Sequence, residues 1–290
     1  MPAYLDTILA AHRRRAAEDP RDVDETVEQV LGALGGGVAP GPAPAPPPGS
    51  APGSAPAPPP GPARSFTAAI DAAWGRDGMA VISEIKRRSP SKGDLDPDLD
   101  PARVAREYEE GGAACLSVLT DTEFFGGSAA DLGSARAACT LPVLRKDFTV
   151  SALDICDART MGADAVLLIV AGLSDGELAS FLALSRRLAL TPLVEVHDHG
   201  EMARALGAGA DVIGINQRDL RTFEVDRRRA LDMAGSLPTG VVAVAESGIR
   251  DGDDVAALAA AGFRAVLVGE TLVRSLDRRK AIGGLLGAVR

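Results

Sequence analysis

Aromatic side chains make up only 3% of the 290 residues, with one Trp, two Tyr and seven Phe. A core must therefore be built from Ala, Val, Leu and Ile, the composition of buried parallel strands under Ala-rich helices. Cysteine is equally scarce. Cys115, Cys139 and Cys156 are odd in number and lack CxxC spacing, so they give neither a disulfide framework nor a zinc signature, and they read as reduced core thiols. No apolar run approaches the ~20 residues of a membrane helix, and no basic-then-apolar leader opens the sequence. The chain reads as soluble and cytoplasmic, with no membrane partner. Positive charge is in deficit too: 31 Lys and Arg against 40 Asp and Glu leave a net charge of -9. That argues against a nucleic-acid partner, while a local basic cluster can still bind a small anionic substrate.

What is present is 46% apolar residues, ample for a core, in a length that one (β/α) barrel can use by itself. Residues 1–37 carry a helical repeat at Leu5, Ile8 and Leu9, then at Val23, Val27, Val30, Leu31 and Leu34, interrupted near Pro20, which predicts two amphipathic helices. Residues 38–64 change abruptly: 12 of the 26 positions from Val38 to Ala63 are Pro and nearly all the rest Ala, Gly or Ser. Such a segment has no apolar face to bury and reads as a disordered linker of polyproline character. A docking site for a partner domain is the functional alternative, but the stretch lacks the flanking basic or aromatic residues such ligands carry.

Residues 65–290 settle into a rhythm. Short apolar runs recur at 80–86, 114–120, 141–147, 163–170, 191–197, 211–216, 240–246 and 263–269, separated by segments of helical spacing. Gly162, Gly209 and Gly262 stand where helix C-caps precede the next strand. Eight strand-helix units without an antiparallel hairpin signal predict an α/β fold, a (β/α)8 TIM barrel; a doubly wound open sheet is the runner-up.

In a barrel, alternate residues of each strand point inward, and those at the carboxyl end meet the substrate. That parity puts Glu84 and Lys86 above Ile82, Lys146 and Phe148 above Leu144, and Glu195 and His197 above Leu193. It likewise puts Asn216 above Gly214, Glu246 above Val244, and Gly269 above Leu267. Any one charged strand end is ordinarily a solvated terminus, but Glu84, Lys86, Lys146, Glu195, Asn216 and Glu246 together at matched depth point to acid-base chemistry, with partial desolvation helping a lysine donate its proton. No metal site is indicated, and His197-Asp198-His199 reads as a strand end and a helix N-terminus. Ser247-Gly248 and Gly269-Glu270 follow the seventh and eighth strands, where barrels hold phosphate on backbone N–H groups, and Ser89 and Lys92 in the first loop can complete an anion site.

With these residues in view, the chain resembles indole-3-glycerol phosphate synthases. The likeness runs through SEIKRRSPSKG (83–93), LPVLRKDF (141–148), ADAVLLIV (163–170), LVEVHD (193–198), GADVIGINQRDL (209–220), AESGI (245–249) and VLVGETLV (266–273), and more weakly LDTIL (5–9). The resemblance implies N-terminal helices over a barrel mouth. It also implies ring closure of 1-(2-carboxyphenylamino)-1-deoxyribulose 5-phosphate with loss of CO2 and water, and no cofactor. On this likeness Lys146 would be the general acid, Glu195 its acid-base partner, and Lys86 the aid to dehydration that also orients the substrate carboxylate. Glu84 and Asn216 would fix the lysines and sugar hydroxyls, with Glu246 in the same polar ring. Phe148 would contact the anthranilate ring and Arg218 attract its carboxylate. Ser89, Ser247, Gly248, Gly269 and the backbone N–H of Glu270 would hold the phosphate. The Pro-rich block, and Ser151-Ala152-Leu153-Asp154 in place of an aromatic-containing segment, depart from the family pattern. A phosphoribosyl anthranilate isomerase of the same barrel class and an inactive paralogue acting as a scaffold are the competing readings. The first lacks these motifs, and the second would be free to lose the charged set.

Overall fold

Ala80-Val81-Ile82 is apolar on both faces, and a strand of that kind has to be covered on both sides. In the computed structural model, which describes residues 4–34, 62–89 and 92–289, it opens β1 (Ala80–Ile85). Seven more strands follow: β2 (Cys115–Leu119), β3 (Val143–Lys146), β4 (Ala165–Ile169), β5 (Thr191–Val196), β6 (Val212–Asn216), β7 (Val242–Glu246) and β8 (Ala265–Val268). Each lies parallel to the next, and β8 closes on β1 with Ala265 beside Ala80 and Leu267 beside Ile82. Closure leaves the sheet without an exposed edge. Every predicted apolar run contains one of these strands.

The period-2 alternation sorts the core into two. Ile82, Leu144, Leu167, Leu193, Val244 and Leu267 fill the barrel interior, while Val81, Leu116, Val143, Val194 and Val266 face outward under the helices. Helix α3 (Phe66–Asp77), capped by the Ser65 side chain accepting from the Ala68 N–H, plugs the amino end. Its fully buried Phe66 and Ile70 join the cluster of Ala80, Ala165 and Ala265, each contributing ~1.5–3 kcal/mol by leaving water. Helix α1 (Tyr4–Ala17) covers the other end, where Leu5 and Ile8 meet Phe148 and Ile169. Helix α2 (Val23–Leu34) runs against α6 (Ala152–Thr160) on the outside, and Arg21 ties it there by bonding both Asp19 and Asp157. Val27 is buried as the helical repeat requires, but Val23, in the first turn, is 41% exposed.

Of the Pro-rich stretch, residues 38–61 lie outside the described residues. Its end is fastened to the amino face of the barrel. The Arg64 N–H donates to Asp164 Oδ1 at 2.7 Å, the Arg64 side chain to the Leu141 carbonyl at 2.7 Å, and Arg136 to the Pro62 carbonyl at 3.0 Å. Gly162, Gly209 and Gly262 adopt φ of 90°, 84° and 94° beyond α6, α8 (His199–Gly207) and α10 (Gly252–Ala260), as the cap reading requires. One expectation fails. The loop after β1 does hold an antiparallel ladder, Arg88–Ser89 against Gly93–Asp94; two residues a side are too few for alternation to signal.

Candidate active site

A cavity of about 740 Å³ opens at the carboxyl ends of the strands. With one exception, the residues that strand parity, loop position and the family resemblance assign to the site line it: Glu84, Lys86, Ser89, Lys146, Phe148, Glu195, Asn216, Arg218, Glu246, Ser247, Gly248, Gly269 and Glu270, and Lys92 with them. His197 does not. The floor is apolar, with Leu167, Ile169 and Leu267, so the charges stand on a surface that cannot screen them.

Lys146, the last residue of β3, reaches across the barrel to lie 3.3 Å from Glu195 Oε2 and 4.0 Å from Glu246 Oε2. Burial favours the neutral amine, but the carboxylates of Glu195, Glu246 and Glu84 outweigh it and hold the ammonium above its ordinary pKa. This reverses the expectation that desolvation would loosen the lysine's proton: three nearby carboxylates favour the charged form by more than burial disfavours it. Glu195 is fully buried. Burial alone would raise its pKa, yet Lys146, His197 and the Asn216 amide hold it well below the usual carboxylate range. Asn216 donates from Nδ2 to Glu195 Oε1 at 3.1 Å, while its Oδ1 accepts the Arg218 N–H at 3.0 Å, which fixes the amide orientation. Asn216 thus steadies the partner carboxylate rather than a lysine.

Glu246 behaves in the opposite way. It sits beside Asn216 in register, with Oε1 buried and without a hydrogen-bond partner among the described residues. Burial first, then the charge of Glu195, push its carboxyl up to about 8 against the pull of Lys146. Two carboxyl groups in one site driven apart in this way divide into an ionised and a protonated member.

Glu84 forms a direct ion pair with Lys86 on the same face of β1. Two glycines make room for the acids. A Cβ on Gly214 would lie 2.0 Å from Glu246 Oε1, and one on Gly269 would lie 2.3 Å from Glu84 Oε1. Ser247 adopts φ 63°, unusual for a residue with a side chain, and Gly248 follows at φ 75°. The Gln217 amide donates to the Ser247 carbonyl at 2.8 Å and helps hold this turn in place. Arg218 bonds the Phe223 carbonyl at 3.0 Å, which ties it to the far wall of the cavity.

Sequence reading missed several lining residues. Leu167 and Ile169 follow the same alternation and were within reach of it; Arg250 and Arg274, from the loops after β7 and β8, had no periodic signal. Also missed was a buried cluster of His12, Asp121 and Asp147, whose donor atoms lie within 4.8 Å of one another. Asp121 accepts the N–H groups of Phe124 and Phe125 and lies 3.0 Å from His12 Nε2, and Asp147 is paired with Arg145 at 3.0 Å. With an arginine already on the carboxylates, this is a latch that seats α1 on the mouth rather than a cation site.

A closed parallel barrel with an acid-base cluster at its carboxyl face and glycine turns after its last two strands defines a (β/α)8-barrel enzyme. The solved structures it resembles share that fold. Thiamine phosphate pyrophosphorylase from Pyrococcus furiosus superposes with a TM-score of 0.56 at 18% identity, over 74% of this chain and 96% of that one. (S)-3-O-geranylgeranylglyceryl phosphate synthase from Thermoplasma acidophilum gives 0.51 at 16% identity, over 76% and 97%. Sequence likeness is far stronger. The family model described as indole-3-glycerol phosphate synthase matches residues 55–285. Indole-3-glycerol phosphate synthase 2 of Streptomyces coelicolor is 53% identical over 225 residues, covering 78% of this chain and 86% of that protein. The enzyme of that name from Beutenbergia cavernae is 52% identical over 221 residues, covering 76% and 82%. The chain belongs to the indole-3-glycerol phosphate synthase family.

Proposed function

We propose that the mouth of this barrel closes the indole ring of 1-(2-carboxyphenylamino)-1-deoxyribulose 5-phosphate, giving indole-3-glycerol phosphate, CO2 and water. The observation that carries the reading is the Lys146 ammonium held between Glu195 and Glu246 over an apolar floor. The ring carbon that bears the carboxylate attacks the ribulose carbonyl carbon as Lys146 protonates the carbonyl oxygen. This breaks aromaticity at that carbon, and the C–C bond to the carboxylate then breaks, releasing CO2. The bonding pair left behind by CO2 restores the benzene ring, and loss of the new hydroxyl as water, with Lys86 giving the proton and a carboxylate taking one from carbon or nitrogen, completes the indole. An acid is needed first because the carbonyl oxygen must not be left as a free alkoxide in an apolar site.

Phe148 beside the floor suits the anthranilate ring, Arg218 and Lys86 its carboxylate, and the Ser247-Gly248 and Gly269-Glu270 turns with Ser89 the phosphate. Glu270 serves there through its backbone N–H, since its carboxylate repels an anion. No membrane-crossing helix is present among the described residues. A small phosphorylated substrate and three buried free thiols accord with a cytoplasmic enzyme. We divide the chain into mouth-covering helices (1–37), a Pro-rich connector (38–64) and a catalytic barrel (65–290). Mixing the protein with its substrate is expected to produce indole fluorescence with one CO2 per indole; a folded protein that yields none would instead be a scaffold or a different barrel enzyme.

Two further outcomes follow. Glu246 is neutral below about pH 8 and ionised above it. Its charge then adds to the hold on the Lys146 proton, so turnover falls as pH rises through about 8, and Glu246→Gln removes that limb of the pH–rate profile. A limb unchanged in the variant assigns it to another group. If the Pro-rich connector only spans from helices to barrel, deleting residues 40–60 with a short flexible bridge in their place leaves kcat within about twofold; a large drop would give the segment a part in shaping the mouth.

A further inference from the structure

His197 directly follows β5, one alternation beyond Glu195, and lies outside the cavity lining, yet both of its ring nitrogens face carboxylates. Nε2 is 3.4 Å from Glu195 Oε1, and Nδ1 is 3.0 Å from Glu201 Oε2. Glu201 is itself fixed. It stands in the first turn of α8, its N–H donates to the capping Asp198 side chain at 2.8 Å, and its Oε2 accepts the His197 N–H at 2.8 Å. Only Nδ1 is hydrogen-bonded; Nε2 is buried without a hydrogen-bond partner among the described residues and meets Glu195 through charge, and carboxylates on both sides favour the doubly protonated, cationic ring. Burial opposes this, but the nearby carboxylates of Glu195 and Glu201 prevail and lift its pKa to about 10. Asp219, in the loop after β6, also feels this ring: against burial, the N–H groups of Arg221 and Thr222, then the charges of Arg229 and His197, hold its carboxylate low, and Arg229 donates to the Asn216 carbonyl.

Glu195 thus stands between two cations, His197 at Oε1 and Lys146 at Oε2. We propose that His197 is a positioning residue which, clamped between Glu201 and Glu195, keeps Glu195 ionised and takes up part of its charge, so that Lys146 holds its proton less tightly. This rests on the acid role of Lys146 proposed above. A carboxylate committed to Lys146 alone would bind that proton more firmly and make the ammonium a poorer acid toward the carbonyl. The arrangement is Glu-x-His-x-x-x-Glu in sequence. It comes from one strand end and the first turn of the next helix, so it needs no long-range packing to assemble.

His197→Gln removes the charge and keeps a polar side chain. It is expected to lower kcat by about tenfold, with KM changed by less than about threefold, since the imidazole touches a catalytic carboxylate and not substrate. The acid limb of the kcat profile, set by protonation of Glu195, should move to higher pH by ~1 unit or more, because a neighbouring positive charge has been lost. A slower variant whose acid limb stays in place would reduce His197 to packing, and an unchanged rate would remove its role altogether. Glu201→Gln leaves His197 in contact with Glu195 but takes away the carboxylate behind it. A new ionisation should then enter the profile nearer neutrality, as the imidazole begins to titrate in the working range. Imidazole NMR of the wild-type chain, whose only other histidines are His12 and His199, needs no substrate. Protons on both nitrogens of His197 through pH 9 support the clamp, and titration near 6.5 overturns it, even if the wild-type protein were to form no indole.

Discussion

Lys146→Ala is expected to lower kcat by ~10² or more, the range lost when a positioned acid is removed, with KM little changed. The variant strands Glu195 and Glu246 without the cation between them, which can cost several kcal/mol when a buried charge is left unpaired. Here the loss is blunted. His197 and the Asn216 amide still hold Glu195, and Glu246 already favours its protonated form. Folding should therefore survive, and a thermal midpoint measured beside the kinetics separates the two effects. Lys146→Arg sharpens the point. Arginine restores a cation between the acids but does not give up its proton near neutral pH, so stability should return while turnover stays low. Near wild-type turnover in Lys146→Ala would remove it as the acid.

The second large effect comes from adding one methyl group. Gly214→Ala places a Cβ 2.0 Å from Glu246 Oε1, 3.1 Å from its Cδ and 3.3 Å from Leu193 Cδ1. Backbone and strand register hold both ends of this contact, Gly214 in β6 and Glu246 at the end of β7, so the carboxyl must turn away. Its other oxygen faces Lys146. A shift of about 1 Å at a catalytic group costs ~10² in rate, and that is the loss expected in kcat, with substrate affinity affected less. Glu246→Ala frees the space. The double variant should then be no slower than Glu246→Ala alone, since neighbouring substitutions that act on one contact do not add. Equal losses that simply multiply would show that the methyl group acts elsewhere. Gly269→Ala is expected to disturb Glu84 and Lys86 in the same manner, with its Cβ 2.3 Å and 3.3 Å from their polar atoms.

These two glycines mark the limit of what the chain discloses before it is folded. The parity of β1, β3, β5, β6, β7 and β8 was legible because inward and outward positions repeat every two residues, and it brought Glu84, Lys146, Glu195, Asn216 and Glu246 to one depth. That Gly214 faces inward was equally legible. Which acid fills the space above it depends on strand tilt and on a partner some thirty residues away, and no local period carries that. The His12, Asp121 and Asp147 latch joins residues more than a hundred apart and had no signal at all. His197 is the opposite case. Its carboxylates lie two residues before and four after it, spacing that a strand end leading into a helix turn brings onto one side, so the clamp could have been found from Glu195-Val196-His197 and Glu201. The sign of the Lys146 shift was misjudged for a different reason. Burial and counter-charge compete, and only the 3.3 Å and 4.0 Å separations decide which prevails.

The account turns on Lys146 as the group that protonates the ribulose carbonyl, and a structure of the protein with a substrate analogue tests it most directly. An analogue whose carbonyl is reduced to an alcohol cannot cyclise. The account predicts Lys146 Nζ within about 3 Å of that hydroxyl oxygen, the distance proton transfer requires, with the phosphate on the Ser247-Gly248 and Gly269-Glu270 turns. Lys86 in that place, with Lys146 turned to the carboxylate or the phosphate, would contradict it.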